Sequence, residues 1–102
     1  MNPDKILQLD PVIHAPVRLA ILSILVSVEN ADFKFLKEST GATDGNLSTH
    51  LSKLEASGYI TIEKSFQGKK PQTRCALTPT GREAFLRYFQ ALEQIVRNQK
   101  NG

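Results

Sequence analysis

The stretch TDGNLSTHLSKLEASGYI, residues 43–60, combines a helical apolar stripe with an unusual polar face. Leu47, Leu51 and Leu54 recur at intervals of four and three residues, the spacing of one face of an amphipathic helix. The other side carries Ser, Thr, Asn and His and is short in the Lys and Glu that usually coat a helix in solvent. Its opening, Asp-Gly-Asn, is poor in helix formers. We therefore expect Thr43 to cap the helix. The small polar face of this helix raises the question of what it binds.

A second helix precedes this one over the sequence FKFLKEST. Asp32 stands at its N-cap position, and Gly41 stands where a helix commonly ends in a left-handed residue. A turn of three or four residues then leads to the helix that ends at Gly58. Helix, short glycine-containing turn and helix together indicate a helix-turn-helix, whose second helix enters the major groove of DNA.

After Gly58 the apolar period changes from helical to alternating. In YITIEKSF, Ile60, Ile62 and Phe66 share one face, and TRCALT resumes the alternation, so the two runs predict a β-hairpin. We expect the connection QGKKPQ to be a rather long, flexible, projecting loop. The segment 64–74 holds four basic residues and no acidic one, and a basic hairpin directly after a helix-turn-helix is typical of a wing.

Helices account for most of the remaining chain. Asn2 and Pro3 predict a short helix over Pro3–Leu9, and an apolar helix follows from about residues 15–16 to Val28. Thr78 and Pro79 begin a last helix. We predict one α+β, mostly helical domain over residues 1–102: a winged helix-turn-helix with a two-stranded hairpin wing at 13–78, and a C-terminal dimerisation helix at 79–98.

The last helix carries a heptad-like stripe of Phe85, Phe89, Leu92 and Val96. This stripe either packs wholly on its own core or pairs with a second copy. A chain of 102 residues has little room to bury both this stripe and an all-apolar first helix, so we favour a two-fold dimer. The predicted interface comprises Ile6, Leu9, Val12, Leu19, Leu22, Phe85, Tyr88, Phe89, Leu92, Ile95 and Val96.

Two groups of polar side chains are predicted to contact double-stranded DNA. The recognition-helix group is Thr43, Asp44, Gly45, Asn46, Ser48, Thr49, His50 and Lys53. The wing group is Lys64, Gln67, Lys69, Lys70, Gln72 and Arg74. Asp44 is the awkward member, because a carboxylate favours the helix dipole but repels phosphate. It is expected to turn aside, to pair with a basic side chain, or to accept from a cytosine amino group.

Three motifs carry a resemblance to a known family: L-S-x-H-L-x-x-L-E-x-x-G-Y-I at 47–60, G-K-K-P at 68–71 and L-T-P-x-G at 77–81. In this order, after HAPVRLAILSIL, they resemble the small winged-helix transcriptional regulators of the MarR/ArsR-like group. The resemblance implies base and backbone contacts at Asn46, Ser48, Thr49 and His50. It also implies wing contacts at Lys69, Lys70 and Arg74.

Composition excludes several other functions. One cysteine, Cys75, and two histidines are too few for a closed zinc-type site, so we expect no metal and no cofactor. A small-molecule effector is possible, but no group of polar residues in the sequence marks a pocket for it. No phosphate-binding glycine loop or hydrolase motif occurs, so we expect no enzyme. No apolar run of about 18 residues is present, and the lone cysteine fits a reducing cytoplasm.

Two alternatives compete with sequence-specific regulation. Winged helices also serve as protein-docking modules without reading DNA, but docking helices usually expose aromatic or aliphatic anchors. Non-specific coating of nucleic acid rests on phosphate neutralisation, and the net charge is only +3. We therefore predict a dimeric regulator, acting as a repressor by occupancy, on a pseudo-palindromic site.

Overall fold

The computed structural model describes residues 9–101, with side chains as far as Asn98. Four helices and three strands follow one another along this part of the chain: α1 (Pro16–Leu25), β1 (Ala31–Asp32), α2 (Phe33–Thr40), α3 (Asp44–Ala56), β2 (Ile60–Gln67), β3 (Lys70–Leu77) and α4 (Pro79–Asn101). The prediction of a mostly helical α+β winged helix-turn-helix is confirmed. The helix predicted over Pro3–Leu9 lies outside the described residues except for Leu9, which is not helical.

The strands form one antiparallel sheet in the order β1-β3-β2. In the hairpin, Ile60 pairs with Leu77 and Gln67 pairs with Lys70. The prediction of a long connecting loop is wrong, because Gly68 and Lys69 alone form the turn. Gly68 adopts a φ of 66°, a conformation that favours glycine. The two strands of the hairpin are therefore paired up to its tip.

The strand β1 was not predicted. Ala31 pairs with Cys75 and Asp32 with Arg74, which adds a third strand to the predicted hairpin. Two residues are too few to show an alternating pattern, so no sequence signal marked this strand. The preceding helix ends at Leu25 rather than Val28, because residues 26–29 form the turn that leads to β1.

One core joins the helices to the base of the sheet. The buried apolar residues are Leu9, Ile13, Ile21, Leu22, Leu25, Ala31, Leu36, Leu47, Leu51, Leu54, Ile60, Cys75, Ala84, Phe85, Tyr88 and Ile95. Burial of this kind supplies most of the stability of a small domain. It also fixes which face each helix and strand presents outward.

The start of α4 is locked to the end of α3. The N–H of Thr78 donates to the carbonyl of Tyr59 at 3.0 Å. The Thr78 hydroxyl accepts from the N–H of Gly81 at 2.9 Å, so Thr78 caps the helix that the sequence predicts to begin there. A Cβ at Gly81 would lie 2.1 Å from the Tyr59 carbonyl oxygen. Only glycine fits this contact, which explains the glycine of the L-T-P-x-G motif.

Candidate nucleic-acid interface

The rotation of α3 is set by its leucines. Leu47 and Leu54 have no exposed surface and Leu51 is 3 % exposed. Burial of this stripe turns the rest of the helix outward, and the exposed residues include Asp44, Gly45, Asn46, Ser48, Thr49, Ser52 and Lys53. No large exposed apolar side chain lies on α3. The small polar face predicted from the sequence is thus available to a partner.

The entry to α3 is defined by its caps. Gly41 ends α2 with a φ of 71°, the left-handed conformation that glycine adopts freely. The Thr43 hydroxyl then accepts from the N–H of Asn46 at 3.2 Å. The predicted caps at both ends of the turn are confirmed, and the first turn of α3 is held in spite of its poor helix formers.

Asp44 pairs with a basic side chain, the second of the three expected arrangements. Its Oδ1 lies 2.7 Å from Nζ of Lys37, which reaches across the turn from α2. Both side chains are exposed, so the pair contributes little to stability. The local charge at the helix start is nevertheless balanced, which reduces the repulsion that a phosphate would meet there.

Thr49 uses its hydroxyl within the helix. Oγ1 donates to the carbonyl of Gly45 at 2.9 Å. The hydroxyl proton is therefore occupied, whereas the oxygen lone pairs and the methyl group remain on the exposed face. Thr49 can accept a hydrogen bond from a base or contact a thymine methyl, but it does not readily donate.

His50 is half-buried on the flank of α3 and contacts Arg18 of α1. Nη1 of Arg18 lies 3.0 Å from Nδ1 of the imidazole. Burial, followed by the positive charges of Arg18 and Lys53, lowers the pKa of His50 from its ordinary value of 6.5. Arg18 was not among the predicted site residues, although it is the only charged residue in the apolar α1 sequence PVRLAILSIL.

The predicted wing residues divide between the two faces of the hairpin. Because Ile60 and Cys75 are buried, strand alternation places Lys64 on the face towards α3. Lys64 and Thr73 line a cleft there with Ser48 and Ser52 of α3 and other residues. Of the remaining predicted residues, Lys69 lies in the turn, whereas Gln67, Lys70, Gln72 and Arg74 alternate onto the other face.

Arg74 lies at the base of the hairpin rather than at its tip. Its Nη1 donates to Oδ1 of Asn30 at 2.6 Å, and its neighbours in register are Asp32 and Glu63. The structure does not bring Arg74 together with the exposed face of α3. Its contact with DNA stays a prediction, weakened by these polar and acidic neighbours.

Phe66 differs from its expected environment. Its position in the alternation placed it with Ile60 and Ile62 on the inner face, but its side chain is 74 % exposed. It pairs with Pro71 in the last part of the ladder, where the hairpin has already passed beyond the core. An exposed aromatic ring near a basic tip is a candidate contact that the sequence pattern missed.

The predicted dimer residues fall into three groups. Leu22 has no exposed surface, and Leu9, Phe85, Tyr88 and Ile95 are 4–6 % exposed, so these five belong to the core of the subunit and are unsuited to direct contact with a partner. Val12, Leu19 and Leu92 are half-buried. Phe89 at 48 % and Val96 at 51 % are exposed, as is Leu86 at 53 %, which was not predicted. Ile6 lies outside the described residues.

Among residues 9–98, no group of three or more His, Cys, Asp and Glu side chains could hold a metal ion. None of the described helices is both long enough and apolar enough to cross a membrane. Cys75 is fully buried, and burial, followed by the negative charge of Glu55, raises its pKa to about 11.

Comparison with known proteins agrees with this geometry. A family model described as a winged helix DNA-binding domain matches residues 17–96. The chain belongs to this family. It is also 37 % identical, over 87 residues, to an uncharacterized protein of Methanocaldococcus jannaschii, an alignment that covers 85 % of this chain and 95 % of the relative. The family description, a winged helix that binds DNA, agrees with the α3 face and the wing.

Two solved structures show the same fold. A transcriptional regulator homologue from Pyrococcus horikoshii OT3 superposes with a TM-score of 0.87 at 24 % identity and covers 94 % of this chain and 97 % of its own. A MarR family transcriptional regulator from Silicibacter pomeroyi gives a TM-score of 0.70 at 20 % identity, covering 98 % of this chain and 66 % of its own. The resemblance to MarR/ArsR-like regulators is confirmed at the level of the fold.

Proposed function

We propose that this winged-helix protein reads double-stranded DNA in a sequence-specific manner with the exposed face of α3. The observation that carries the proposal is the chemistry of that face, which offers small hydrogen-bonding side chains and no apolar anchor. Such side chains reach base edges without holding the helix away from the groove. A protein-docking helix would need exposed aromatic or aliphatic anchors, which α3 lacks.

The first turns of α3 are the proposed major-groove element. Asn46, Ser48 and Thr49 are exposed there, and the glycine at 45 leaves open space, since a Cβ built on it meets nothing within 4 Å. Backbone N–H groups at a helix start attract phosphate. The Lys37–Asp44 pair supports this placement because it offsets the one acidic charge in the first turn.

The wing is the proposed backbone and minor-groove element. Lys69 lies in the turn and Lys64 beside α3, so both can neutralise phosphates on either side of a groove. Phe66, exposed between them, presents an apolar surface of the kind that minor-groove proteins place against sugars and base edges. Lys70, Gln67 and Gln72 are proposed to contact the backbone from the other face of the ladder.

A second copy is the proposed cover for α4. Leu86, Phe89 and Val96 are about half exposed along one side of this helix, and apolar side chains in a row favour helix pairing. In a two-fold dimer, two copies of α3 would meet successive major grooves about 34–36 Å apart on a pseudo-palindromic operator. Occupancy of such a site is sufficient for repression. We place this action in the cytoplasm, without a cofactor or an enzymatic step.

Fluorescence anisotropy with duplex DNA tests the DNA reading. A duplex selected from a random pool is titrated at several salt concentrations with the wild type, K69A and T49A. We expect K69A to weaken binding to all sequences and to flatten the salt slope by about one unit. T49A should lose discrimination between selected and random duplexes, by roughly 1–3 kcal/mol for a good base contact.

Arg82→Ala is the matched control, since it removes one exposed cation from the start of α4, outside α3 and the wing. Its affinity and salt slope should stay close to those of the wild type. Wild-type protein that binds no duplex even at 50 mM salt would overturn the proposal and favour protein docking instead.

Light scattering tests the dimer. We expect wild type to be a dimer at micromolar concentration and Phe89→Glu to be a folded monomer, because a charge at this half-exposed position cannot be buried against a partner without a large cost. Gln94→Glu introduces the same charge at an exposed polar position of α4 and should remain dimeric. A wild-type monomer at high micromolar concentration would contradict the dimer.

A further inference from the structure

The contact between Arg18 and His50 fixes the chemistry of the imidazole. A guanidinium group carries only N–H donors, so at 3.0 Å its Nη1 must donate to Nδ1 of His50. Nδ1 is then an acceptor with a free lone pair, and the single proton of a neutral imidazole resides on Nε2. The arrangement allows one tautomer only.

Arg18 is itself held in place. Its Nε donates to the carbonyl of Val12 at 2.5 Å, and Nη2 donates to the carbonyl of Pro11 at 3.4 Å. This segment is anchored in turn, since Asp10 accepts from the N–H of Val12 and from the hydroxyl of Tyr59. The guanidinium therefore has a defined position against which the imidazole is oriented.

The outer nitrogen of His50 is left for a partner. Within the described residues, Nε2 of His50 has no hydrogen-bond partner. Every buried side-chain nitrogen or oxygen in this part of the chain does have a partner. Nε2 therefore lies at the surface. His50 also shares a flank of α3 with Asn46, one turn earlier, which is exposed. An obligate N–H donor thus stands beside the proposed base-reading residues.

We propose that Arg18 is a positioning residue that makes His50 an obligate Nε2–H donor, and that His50 thereby selects a purine through the N7 acceptor in the major groove. The proposal rests on the proposed DNA reading by α3. A donor at this point matches N7 of guanine or adenine and is rejected by the amino group of cytosine. Thymine O4 is the competing acceptor in the major groove, and 7-deazapurine distinguishes the two because it removes N7 alone. Arg18 never touches DNA in this scheme.

The charges around the ring keep this state stable near neutral pH. The two that act on the imidazole are both positive: Arg18 from α1 and Lys53 from α3. Together with partial burial they lower the pKa of His50, so the neutral donor–acceptor form persists where an ordinary histidine begins to protonate. A protonated ring would lose its acceptor at Nδ1 and repel the guanidinium.

The first arm of the test reads the tautomer without DNA. Long-range 15N–1H spectra of the wild type at pH 7 should show His50 protonated on Nε2 and unprotonated on Nδ1. The chain has two histidines, so H50Q assigns the signals by loss of one set. In R18M, the His50 signals should shift towards a mixture of tautomers and titrate at higher pH. A wild-type His50 protonated on Nδ1 overturns the proposal.

The second arm reads the base. Selection from random duplex DNA should give the wild type a purine preference at one position of each half-site, and 7-deazapurine there should weaken binding roughly 3- to 10-fold, the effect of one hydrogen bond. H50A and R18M should lose both the preference and the 7-deaza effect at the same position. H50Q should retain both, because its amide oxygen can accept from Arg18 while its NH2 group donates outward.

The outcomes separate the two proposals. A wild type that binds no duplex defeats the DNA reading, whereas binding with an unchanged 7-deaza effect in R18M defeats only the positioning role. Circular dichroism checks that R18M is folded. If R18M does not fold, the tautomer of His50 in the wild type and the contrast between H50Q and H50A still test the assignment of His50 as a donor. Loss of the purine preference in both H50Q and H50A would contradict that assignment.

Discussion

The helices α3 and α4 each bury one face and leave another uncovered, but the uncovered faces differ in chemistry. In α3 the leucines Leu47, Leu51 and Leu54 are all buried, and the exposed residues are mostly polar, with no large apolar side chain among them. In α4 the apolar arc is wider than the core can cover. Phe85 and Tyr88 are buried, whereas Phe89 and Val96 stay about half exposed.

This difference indicates two kinds of partner. A face of hydroxyls and amides loses little on exposure to water and gains hydrogen bonds from a polar, grooved surface such as DNA. A row of half-exposed aromatic and aliphatic side chains gains instead from burial against another apolar face. This contrast is why we propose DNA as the partner of one side of the molecule and a second protein chain as the partner of the other.

Truncation of leucines tests the comparison most strongly. Leu54→Ala should reduce the free energy of unfolding by about 2–5 kcal/mol, because it empties a fully buried site. Leu86→Ala, at a half-exposed site in α4, should change the stability of the subunit by less than about 1 kcal/mol. Urea unfolding measures both changes.

The same two variants separate the subunit from the dimer. Leu86→Ala should lower the melting temperature at a given protein concentration and make it depend less steeply on that concentration, as expected for a weakened dimer of stable subunits. A loss of stability in Leu86→Ala equal to that in Leu54→Ala would show that the exposed face of α4 belongs to the subunit core.

Glycines in the first turns of the two helices should respond in opposite ways. Gly81→Ala forces a methyl group onto the Tyr59 carbonyl and should destabilise the fold by about 1–3 kcal/mol. Gly45→Ala meets open space and should stabilise α3 by about 0.5 kcal/mol, while it weakens DNA binding by bringing a methyl group between helix and groove. Thermal unfolding measures the change in stability of both variants, and fluorescence anisotropy measures DNA binding by Gly45→Ala. Stronger DNA binding by Gly45→Ala would contradict the placement of this turn.

Replacement of Asp44 by Asn sharpens the account of the helix start. The Lys37–Asp44 pair is exposed, so stability should change by no more than about 0.5 kcal/mol. Loss of the negative charge and release of Lys37 should tighten binding to all duplexes and steepen the salt dependence. Glu38→Gln, an exposed acid on α2, is the control. Selective loss of affinity for the selected duplex would instead indicate that Asp44 accepts from a cytosine amino group.

The smallest expected effect is the pH dependence of His50. Its pKa is lowered on folding, so the folded protein resists a proton that the unfolded chain accepts near pH 6.5. Stability from this source is full above about pH 6.5 and is lost as pH falls from there through the lowered pKa of the folded state. The difference in unfolding free energy between the wild type and H50Q, measured from pH 5 to 8, isolates this contribution from that of other groups. A difference that does not vary with pH would contradict the lowered pKa.

Much of the fold was predictable because its signals are local. The caps at Asp32, Thr43 and Thr78, and the left-handed Gly41, each act within a few residues of their helix ends, so sequence spacing was enough to place them. The strand β1 and the two-residue turn were missed. The strand β1 depends on pairing with Cys75 and Arg74, which lie far from it in the sequence. The turn depends on the register of β2 against β3, in which Gln67 pairs with Lys70.

The candidate site was predictable only in part, for the same reason. Leucine periodicity defined which face of α3 is exposed, and therefore most of the proposed base-reading set. Sequence could not show that Lys37 pairs with Asp44 or that Arg74 lies beside Asn30. Those contacts join separate elements, and side-chain charge alone does not choose among several partners.

The sequence by itself determined the helix-turn-helix, the hairpin and the polar character of α3, since each follows from periodicity and capping over short distances. Only the tertiary structure decided which apolar residues of α4 stay outside, how far Phe66 projects, and that Arg18 donates to His50. The exposure of the α4 residues and of Phe66 depends on how much surface a small core can cover. The contact between Arg18 and His50 depends on the packing of two helices that brings together residues 32 positions apart.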